Sequence, residues 1–275
     1  MTNANSDHQG LTTFPAMAER PATLITGASG GLGTAFAWEA AADGHDLILT
    51  ARRSSLLTSL AEAITARHGT RILILETDLS LPDSPDRLVN NILAQGWRVD
   101  HLVNNAGFGL HGLLTDQPPG AIADLLHVNL LSLTTLTRLL LPAMLARGGG
   151  GILNIASLAA FQPGPLMAAY YASKAYVLSL SEALSLEVSG TGVTISCLCP
   201  GATATGFAHE ARMENSLLFR TGTMTADTAA RLGWRGYCRG RRVIIPGWKN
   251  KLLATLGRLT PHFVSLYVTR ALHQR

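Results

Sequence analysis

The stretch that decides the fold reads Ala22-Thr23-Leu24-Ile25-Thr26-Gly27-Ala28-Ser29-Gly30-Gly31-Leu32-Gly33. Its first five residues are mostly apolar and predict a buried strand, and the glycines that follow open a helical pattern near residues 32–43. Small residues let a backbone come close to a pyrophosphate, and the free N–H groups at a helix N-terminus favour negative charge. In this context the glycines predict a dinucleotide site, although their G-x-x-x-G-x-G spacing departs from the G-x-G-x-x-G form.

Strand and helix patterns alternate along the rest of the chain. Short apolar runs predict seven strands, at residues 22–26, 46–51, 71–76, 100–104, 151–155, 193–199 and 243–245. Helical patterns lie near residues 32–43, 54–68, 84–95, 119–147, 170–189 and 206–238. Because parallel strands need such crossovers, we predict a single α/β domain of Rossmann type over residues 21–247. Its seven-stranded parallel sheet is doubly wound, with helices on both faces.

The two ends of the chain differ from this pattern. Residues 1–20 are polar and lack hydrophobic periodicity, which predicts a disordered N-terminal extension. Residues 248–275 predict a basic amphipathic tail, with apolar residues at helical spacing, basic neighbours and an interrupting proline: Leu252, Leu256, Leu259 and Phe263; Lys249, Lys251 and Arg258; Pro261. We interpret the tail first as packing onto the domain or a sister subunit, and second as shallow membrane contact.

Charge is unevenly distributed along the chain. Residues 1–230 contain 12 Lys/Arg and 18 Asp/Glu, whereas residues 231–275 contain 10 Lys/Arg and no acidic residue. Such a segment attracts anionic lipid, an acidic substrate or a partner protein, and a solvated helix face is the plainer interpretation. No nucleic-acid partner is expected.

Other bulk features argue against metal binding and membrane insertion. The three cysteines and nine histidines show no metal-ligand spacing, so we expect no metal. No signal segment precedes residue 22, and the longest apolar stretch, 125–146, is broken by Arg138 and Pro142. We therefore expect a cytoplasmic protein.

Two arginines follow the second predicted strand. A cofactor with two free ribose hydroxyls would need an acidic residue there, but the chain has Arg52 and Arg53. A guanidinium binds phosphate through paired charge-assisted hydrogen bonds, so we predict NADP(H) rather than NAD(H). The alternative is that both arginines merely face water. Asp78, after the third strand and before Leu79, is expected to accept from the adenine amino group or to cap the turn.

Tyr170 and Lys174 lie four residues apart, on one face of a predicted helix. An ammonium near a phenol stabilises the phenolate, so we expect Lys174 to lower the pKa of Tyr170 and make it a proton donor for carbonyl reduction. The adjacent Tyr171 lacks this partner, because Ala175 stands four residues beyond it.

Six motifs in order resemble the short-chain dehydrogenase/reductases over about residues 22–245. They are Thr26-Gly-x-x-x-Gly-x-Gly33, Asn104-Asn105-Ala106-Gly107, Asn129, Ser157, Tyr170-x-x-x-Lys174 and Pro200-Gly201. More loosely, residues 241–249 and the basic tail resemble a bacterial subgroup of reductases that act on aliphatic or ill-defined carbonyls.

The resemblance implies four active-site roles. Tyr170 donates the proton, Ser157 fixes the carbonyl, Lys174 holds the nicotinamide ribose, and Asn129 anchors a water that passes the proton onward. Taken alone, Ser157 is equally typical of a turn cap and Asn129 of a surface residue. The resemblance also implies a homodimer or homotetramer.

The implied cofactor contacts extend over several loops. They comprise Gly27, Ser29, Gly31, Leu32, Gly33, Arg52, Arg53, Asp78, Leu79, Asn105, Ala106, Gly107, Tyr170, Lys174, Pro200, Gly201, Thr203 and Thr205. Plain turns are the alternative at residues 105–107 and 200–201.

The expected substrate is largely apolar. Ligands in this fold lie beyond the carboxyl ends of the strands, so we expect pocket walls at residues 108–111, 158–167 and 207–220. No charged residue occurs between Leu158 and Ala169. We predict reduction of an apolar ketone or aldehyde, with a 3-oxoacyl thioester reductase and a non-enzymatic NADP sensor as alternatives.

Overall fold

Seven parallel strands form one sheet at the centre of the fold, which the computed structural model describes for residues 19–206 and 223–273. The described residues contain nine strands, of which two, β7 and β8, lie outside this sheet. The nine are β1 (Arg20–Thr26), β2 (Leu47–Ala51), β3 (Ile72–Glu76), β4 (Trp97–Asn104), β5 (Gly150–Ile155), β6 (Val193–Leu198), β7 (Thr203–Ala204), β8 (Met224–Thr225) and β9 (Val243–Ile244). Their order in the sheet is β3-β2-β1-β4-β5-β6-β9, and β7 pairs with β8 separately. The predicted doubly wound, seven-stranded sheet is confirmed.

Helices connect the strands. They are α1 (Gly31–Ala42), α2 (Ser54–His68), α3 (Ser84–Ala94), α4 (Ala121–Leu126), α5 (Leu133–Arg147), α6 (Ala168–Glu187), α7 (Ala226–Cys238), α8 (Trp248–Leu259) and α9 (His262–His273). A π-helical turn, His127–Ser132, joins α4 to α5, and short 3-10 turns occur at Leu114–Asp116 and Leu158–Phe161.

Helices cover both faces of the sheet, and successive strand residues point into the cores on opposite sides. Ile25 of β1 lies in a core with α1, α2 and α7, whereas its neighbour Leu24 lies in a second core with α3, α5 and α6. β2 shows the same alternation, with Leu49 in the first core and Ile48 in the second. Strands buried on both faces are mostly apolar, which is why they were recognisable in the sequence.

Among the described residues, one helical segment, residues 121–147, is long and apolar enough to cross a membrane. Part of it is a core helix of the domain, because the buried side chains of Leu136, Leu140 and Met144 pack in the core that covers one face of the sheet.

The boundaries of some elements differ from those predicted. β1 begins at Arg20, within the predicted extension, and β4 begins at Trp97 because three further residues pair with β1. Of the predicted helix 206–238, the structure describes α7. Residues 1–18 and 207–222 lie outside the described part of the chain, and the second range contains the whole of the pocket wall expected at residues 207–220.

The tail forms two helices, separated at Pro261. One face of it contacts the domain: Ala254, Ser265 and Thr269 are buried. Arg258 lies over the ring of Phe161, 4.8 Å from the ring centre. The tail therefore packs against the domain through this face.

Candidate active site

The glycine turn between β1 and α1 is closed tightly against its neighbours. Gly27 has a φ of +65°, and a Cβ there would lie 2.9 Å from the Cα of Ala106. A Cβ on Gly33 would overlap the carbonyl oxygen of Gly27. Only glycine fits either position without displacing backbone, so the turn keeps the N-terminus of α1 bare and close to the sheet edge.

A hydrogen-bonded clamp fixes the ends of β1 and β4 beside each other. The Thr26 hydroxyl oxygen accepts from the backbone N–H groups of Asn105 and Ala106, at 3.0 and 2.9 Å. The Asn105 side-chain amide donates to the Thr26 carbonyl, at 2.9 Å. Asn105 thus holds the loop that lines the cavity. The part of the Thr26 hydroxyl in fixing this loop was not predicted from the sequence.

Arg52 and Arg53 line the cavity beside the glycine turn, and their side chains are exposed. A Cβ on Gly30 would lie 3.9 Å from Nη2 of Arg53, so the guanidinium reaches across the loop. The carboxylate of Asp78 accepts from the backbone N–H and the hydroxyl of Ser80, at 2.9 and 2.8 Å. Burial opposes ionisation, but the Ser80 hydrogen bonds and the charge of Arg52 outweigh it and lower the pKa of Asp78.

A single cavity of about 680 Å³ runs from this turn to the tail. Every predicted cofactor residue except Gly33 lines it, and Ser157 lines it as well. An apolar group of lining residues comes from the 3-10 turn after β5, the start of α6 and the tail: Leu158, Ala159, Phe161, Met167, Leu253, Leu256, Val264 and Val268. The polar Gln162, Thr260 and Ser265 line the cavity beside them. The tail residues were not among the predicted walls.

Ser157, Tyr170 and Lys174 come together at the floor of the cavity. Ser157 caps the 3-10 turn, its hydroxyl oxygen accepting from the N–H of Ala159 at 3.1 Å, and it also hydrogen-bonds the Tyr170 phenol. Lys174 donates to the carbonyl of Ile155 at 2.9 Å, and its Nζ lies 5.7 Å from the centre of the Tyr170 ring. Two elements, β5 and α6, therefore place the three groups.

Burial controls ionisation in this cluster. It raises the pKa of Tyr170 to about 12 against the opposing effect of the Ser157 hydrogen bond, and it lowers the pKa of Lys174 to about 8. The net pKa of Tyr170 is therefore raised rather than lowered as expected, because desolvation of the phenol outweighs the effects that favour its phenolate. The Lys174 ammonium bonds to the Ile155 carbonyl instead of the phenol. At neutral pH both groups carry their protons.

Asn129 lies behind the cavity wall rather than on it. Its amide oxygen accepts from the N–H of Phe108 at 3.1 Å, and its amide nitrogen donates to the Phe108 carbonyl and the Ser173 hydroxyl, each at 3.0 Å. It sits in the π-helical turn, a distortion that often marks functional sites. The side chain thus holds Phe108, which lines the cavity. The expectation that Asn129 anchors a water stays a prediction.

Two features of the site were not predicted from the sequence: the backbone conformation of Leu166, which lies in an expected wall, and the contact of Asn250 with Gly201. Leu166 has a φ of +67°, a conformation that is uncommon outside glycine, and its carbonyl accepts from Gly112 at 2.8 Å. Asn250 of the tail lies against Gly201, where a Cβ would meet its amide oxygen at 2.6 Å. Gly164 packs closely under the ring of Tyr171, where a Cβ would overlap ring atoms.

Comparison with known proteins places the chain in a family. The family model for short chain dehydrogenases matches residues 21–216. The chain is a short-chain dehydrogenase/reductase. Among curated relatives, a very-long-chain 3-oxoacyl-CoA reductase from Pyrenophora tritici-repentis is 32% identical over 84% of this chain and 69% of its own. The 17-beta-hydroxysteroid dehydrogenase type 3 of Mus musculus is 36% identical over 66% of this chain and 60% of its own.

Solved structures of short-chain dehydrogenases agree with the fold. One from Sphingobium yanoikuyae, in complex with NADPH, is 34% identical, with a TM-score of 0.77 over 83% of this chain and 88% of its own. Another from Burkholderia phymatum, in complex with NAD, is 26% identical, with a TM-score of 0.77 over 94% of this chain and 98% of its own. The family's nicotinamide-dependent oxidoreductase chemistry therefore applies to this chain.

Proposed function

We propose that this short-chain dehydrogenase/reductase uses NADPH to reduce a ketone or aldehyde on a largely apolar substrate, with Tyr170 as the proton donor. The observation that carries the proposal is the Ser157, Tyr170 and Lys174 cluster at the floor of a cavity whose two ends differ in chemistry. One end has the glycine turn and two arginines, and the other has apolar walls.

The residues present fit a dinucleotide. The glycine turn is a cradle in which a Cβ on Gly31 would lie 3.1 Å from Thr205, so small residues keep the N-terminus of α1 accessible. Residues 105–107, Pro200, Gly201 and Thr203 would hold the remainder along the carboxyl edge of the sheet. The bound cofactor supplies the hydride.

Charge at the ribose end favours a phosphate there. Arg52 and Arg53 are both exposed on the cavity mouth, and Asp78, the nearby carboxylate, is already bonded to Ser80. A 2′-phosphate would gain charge-assisted hydrogen bonds from the guanidinium groups. A cofactor without that phosphate would leave the two cations unpaired.

The buried cluster is set for proton donation to a carbonyl oxygen. With a pKa of about 12, Tyr170 is protonated at neutral pH and has a proton to give as negative charge grows on that oxygen. The Ser157 hydroxyl, bonded to the phenol, would shift to the same oxygen and position it. Lys174 keeps a positive charge below its pKa of about 8, and this charge would stabilise the resulting phenolate.

Lining residues around the cluster favour an apolar substrate. The charged residues on the cavity are Arg52, Arg53, Asp78, Asp124 and Lys174, of which the first three lie at the ribose end. The walls near Ser157 come from Leu158, Phe161 and Met167, and a charged substrate against them would lose hydration without a partner.

A 3-oxoacyl thioester is the second candidate substrate class, because two of the curated relatives, at 32% and 31% identity, are very-long-chain 3-oxoacyl-CoA reductases. A long acyl chain matches the apolar walls, and the basic tail would attract an anionic carrier group.

Tyr170→Phe tests the proposed acid. Removing the hydroxyl should lower kcat/KM for ketone reduction by a factor of about 10³, because the oxygen loses its proton donor. NADPH binding, measured by the change in nicotinamide fluorescence, should persist. Tyr171→Phe is the matched control and should lose far less turnover. Comparable turnover in Tyr170→Phe and Tyr171→Phe would contradict the assignment.

The double variant Arg52→Ala/Arg53→Ala tests the cofactor preference. Loss of the phosphate contacts should raise the KM for NADPH by about 10- to 100-fold and leave the KM for NADH nearly unchanged. Arg87→Ala, on the exposed face of α3, controls for the loss of a surface charge. If the KM values for NADPH and NADH rise together, the arginines do not recognise the 2′-phosphate.

Matched substrates separate the two candidate classes. We expect measurable NADPH oxidation with both a free long-chain ketone and a 3-oxoacyl-CoA of equal chain length, and a higher kcat/KM for the ketone, because the apolar walls have no partner for charged phosphates. A kcat/KM for the thioester about tenfold or more above that of the ketone would make the thioester the substrate class.

A further inference from the structure

The tail helices α8 and α9 carry an apolar surface that the domain leaves uncovered. Its residues are exposed and do not line the cavity: Trp248, Leu252, Leu259, Phe263, Leu266 and Tyr267. We call this set the outer face. Trp248, Leu259 and Tyr267 are 72%, 75% and 73% exposed. Six large apolar side chains exposed on two successive helices are typical of an interaction site.

Spacing along each helix aligns residues of the outer face. Trp248, Leu252 and Leu259 are four and seven residues apart on α8, so they form one stripe. Phe263 and Tyr267 form a stripe on α9 in the same way. The remaining positions of the two helices include the buried Ala254, Ser265 and Thr269 and four partly exposed residues that line the cavity: Leu253, Leu256, Val264 and Val268.

The charge around the outer face is positive. Lys249 and Lys251 lie beside the α8 stripe and Arg270 beside the α9 stripe, and all three are exposed. Residues 231–275 contain 10 Lys/Arg and no Asp/Glu. Within the described part of that segment, the one ion pair joins Arg258 to Glu182 of α6, at 3.7 Å. Lys249, Lys251 and Arg270 therefore have no ion-pair partner among the described residues.

We propose that the outer face docks shallowly on an anionic lipid surface. Apolar stripes with Trp and Tyr, flanked by Lys and Arg, insert side chains at the level of the lipid headgroups while the cations meet lipid phosphate and carboxylate. A second copy of the chain is disfavoured as the occupant, because pairing two such faces brings like charges together.

Docking on this face has a consequence for access to the cavity. Other residues of α8 and α9 line the cavity: Leu253, Leu256, Val264 and Val268. The wall of the proposed substrate pocket would then rest against the bilayer, so an apolar substrate could enter from lipid. This consequence rests on the proposed function, whereas the docking does not.

Vesicle sedimentation tests the docking without reference to turnover. The intact protein should pellet with phosphatidylcholine vesicles that contain about 30% phosphatidylserine and stay largely in solution with pure phosphatidylcholine. About 0.5 M salt should reduce pelleting, because screening weakens the attraction of the cations. Phe263→Ser/Tyr267→Ser should lower the pelleted fraction at least fivefold. The control Leu114→Ser/Leu186→Ser removes two leucines of similar exposure elsewhere and should pellet like the unaltered protein.

Trp248 provides a second readout that needs no destabilising change. It is the highly exposed tryptophan, whereas Trp97 and Trp234 are buried and Trp38 is half-buried. Its emission should shift to shorter wavelength on adding the anionic vesicles, and Trp248→Phe should lose the shift. Equal pelleting of the tail and control variants, or an unshifted emission, would overturn the proposal. The proposal would also be overturned if the unaltered protein did not bind vesicles but formed concentration-dependent dimers that Phe263→Ser/Tyr267→Ser abolishes.

Discussion

Burial of an ammonium and a phenol in one place is the constraint on which the site depends. Lys174 and Tyr170 are 6% and 9% exposed. Burial favours the uncharged form of each group, so it lowers the pKa of the lysine to about 8 and raises that of the tyrosine to about 12. Both values still lie above neutral pH. The resting site therefore holds a cation beside a protonated phenol, the state from which a proton is given to a carbonyl oxygen.

A buried ammonium requires hydrogen-bond acceptors, and the carboxyl ends of the strands supply one. The Ile155 carbonyl at the end of β5 accepts from Lys174 and partly replaces the lost water. Asn129, held in the π-helical turn, ties Phe108 to Ser173, the residue beside Lys174. The phenol, the ammonium and the cavity wall are thus positioned by one connected set of bonds, which couples the sheet edge to α6.

Local patterns made the sheet, the glycine turn and the cavity floor predictable. Strands buried on both faces are mostly apolar, and a four-residue spacing places Tyr170 and Lys174 on one helix face whatever surrounds them. The pKa of Tyr170 was not predictable, because it depends on desolvation by residues distant in the chain. The same holds for the tail, whose periodicity indicated helices but not that Leu253 and Val268 line the cavity. The roles of the site residues, the cofactor preference, the cytoplasmic location and the oligomer remain predictions.

The most direct measurement is the pKa of Lys174 in the cofactor-free protein. The chain has three lysines, Lys174, Lys249 and Lys251, so 13C-labelled lysine gives a simple NMR spectrum, and Lys174→Arg identifies the resonance. Titration of that resonance with a midpoint near pH 8 is the predicted result, since burial disfavours the charge. A midpoint at the ordinary lysine value of 10.5 would show that the ammonium is solvated and would contradict the account.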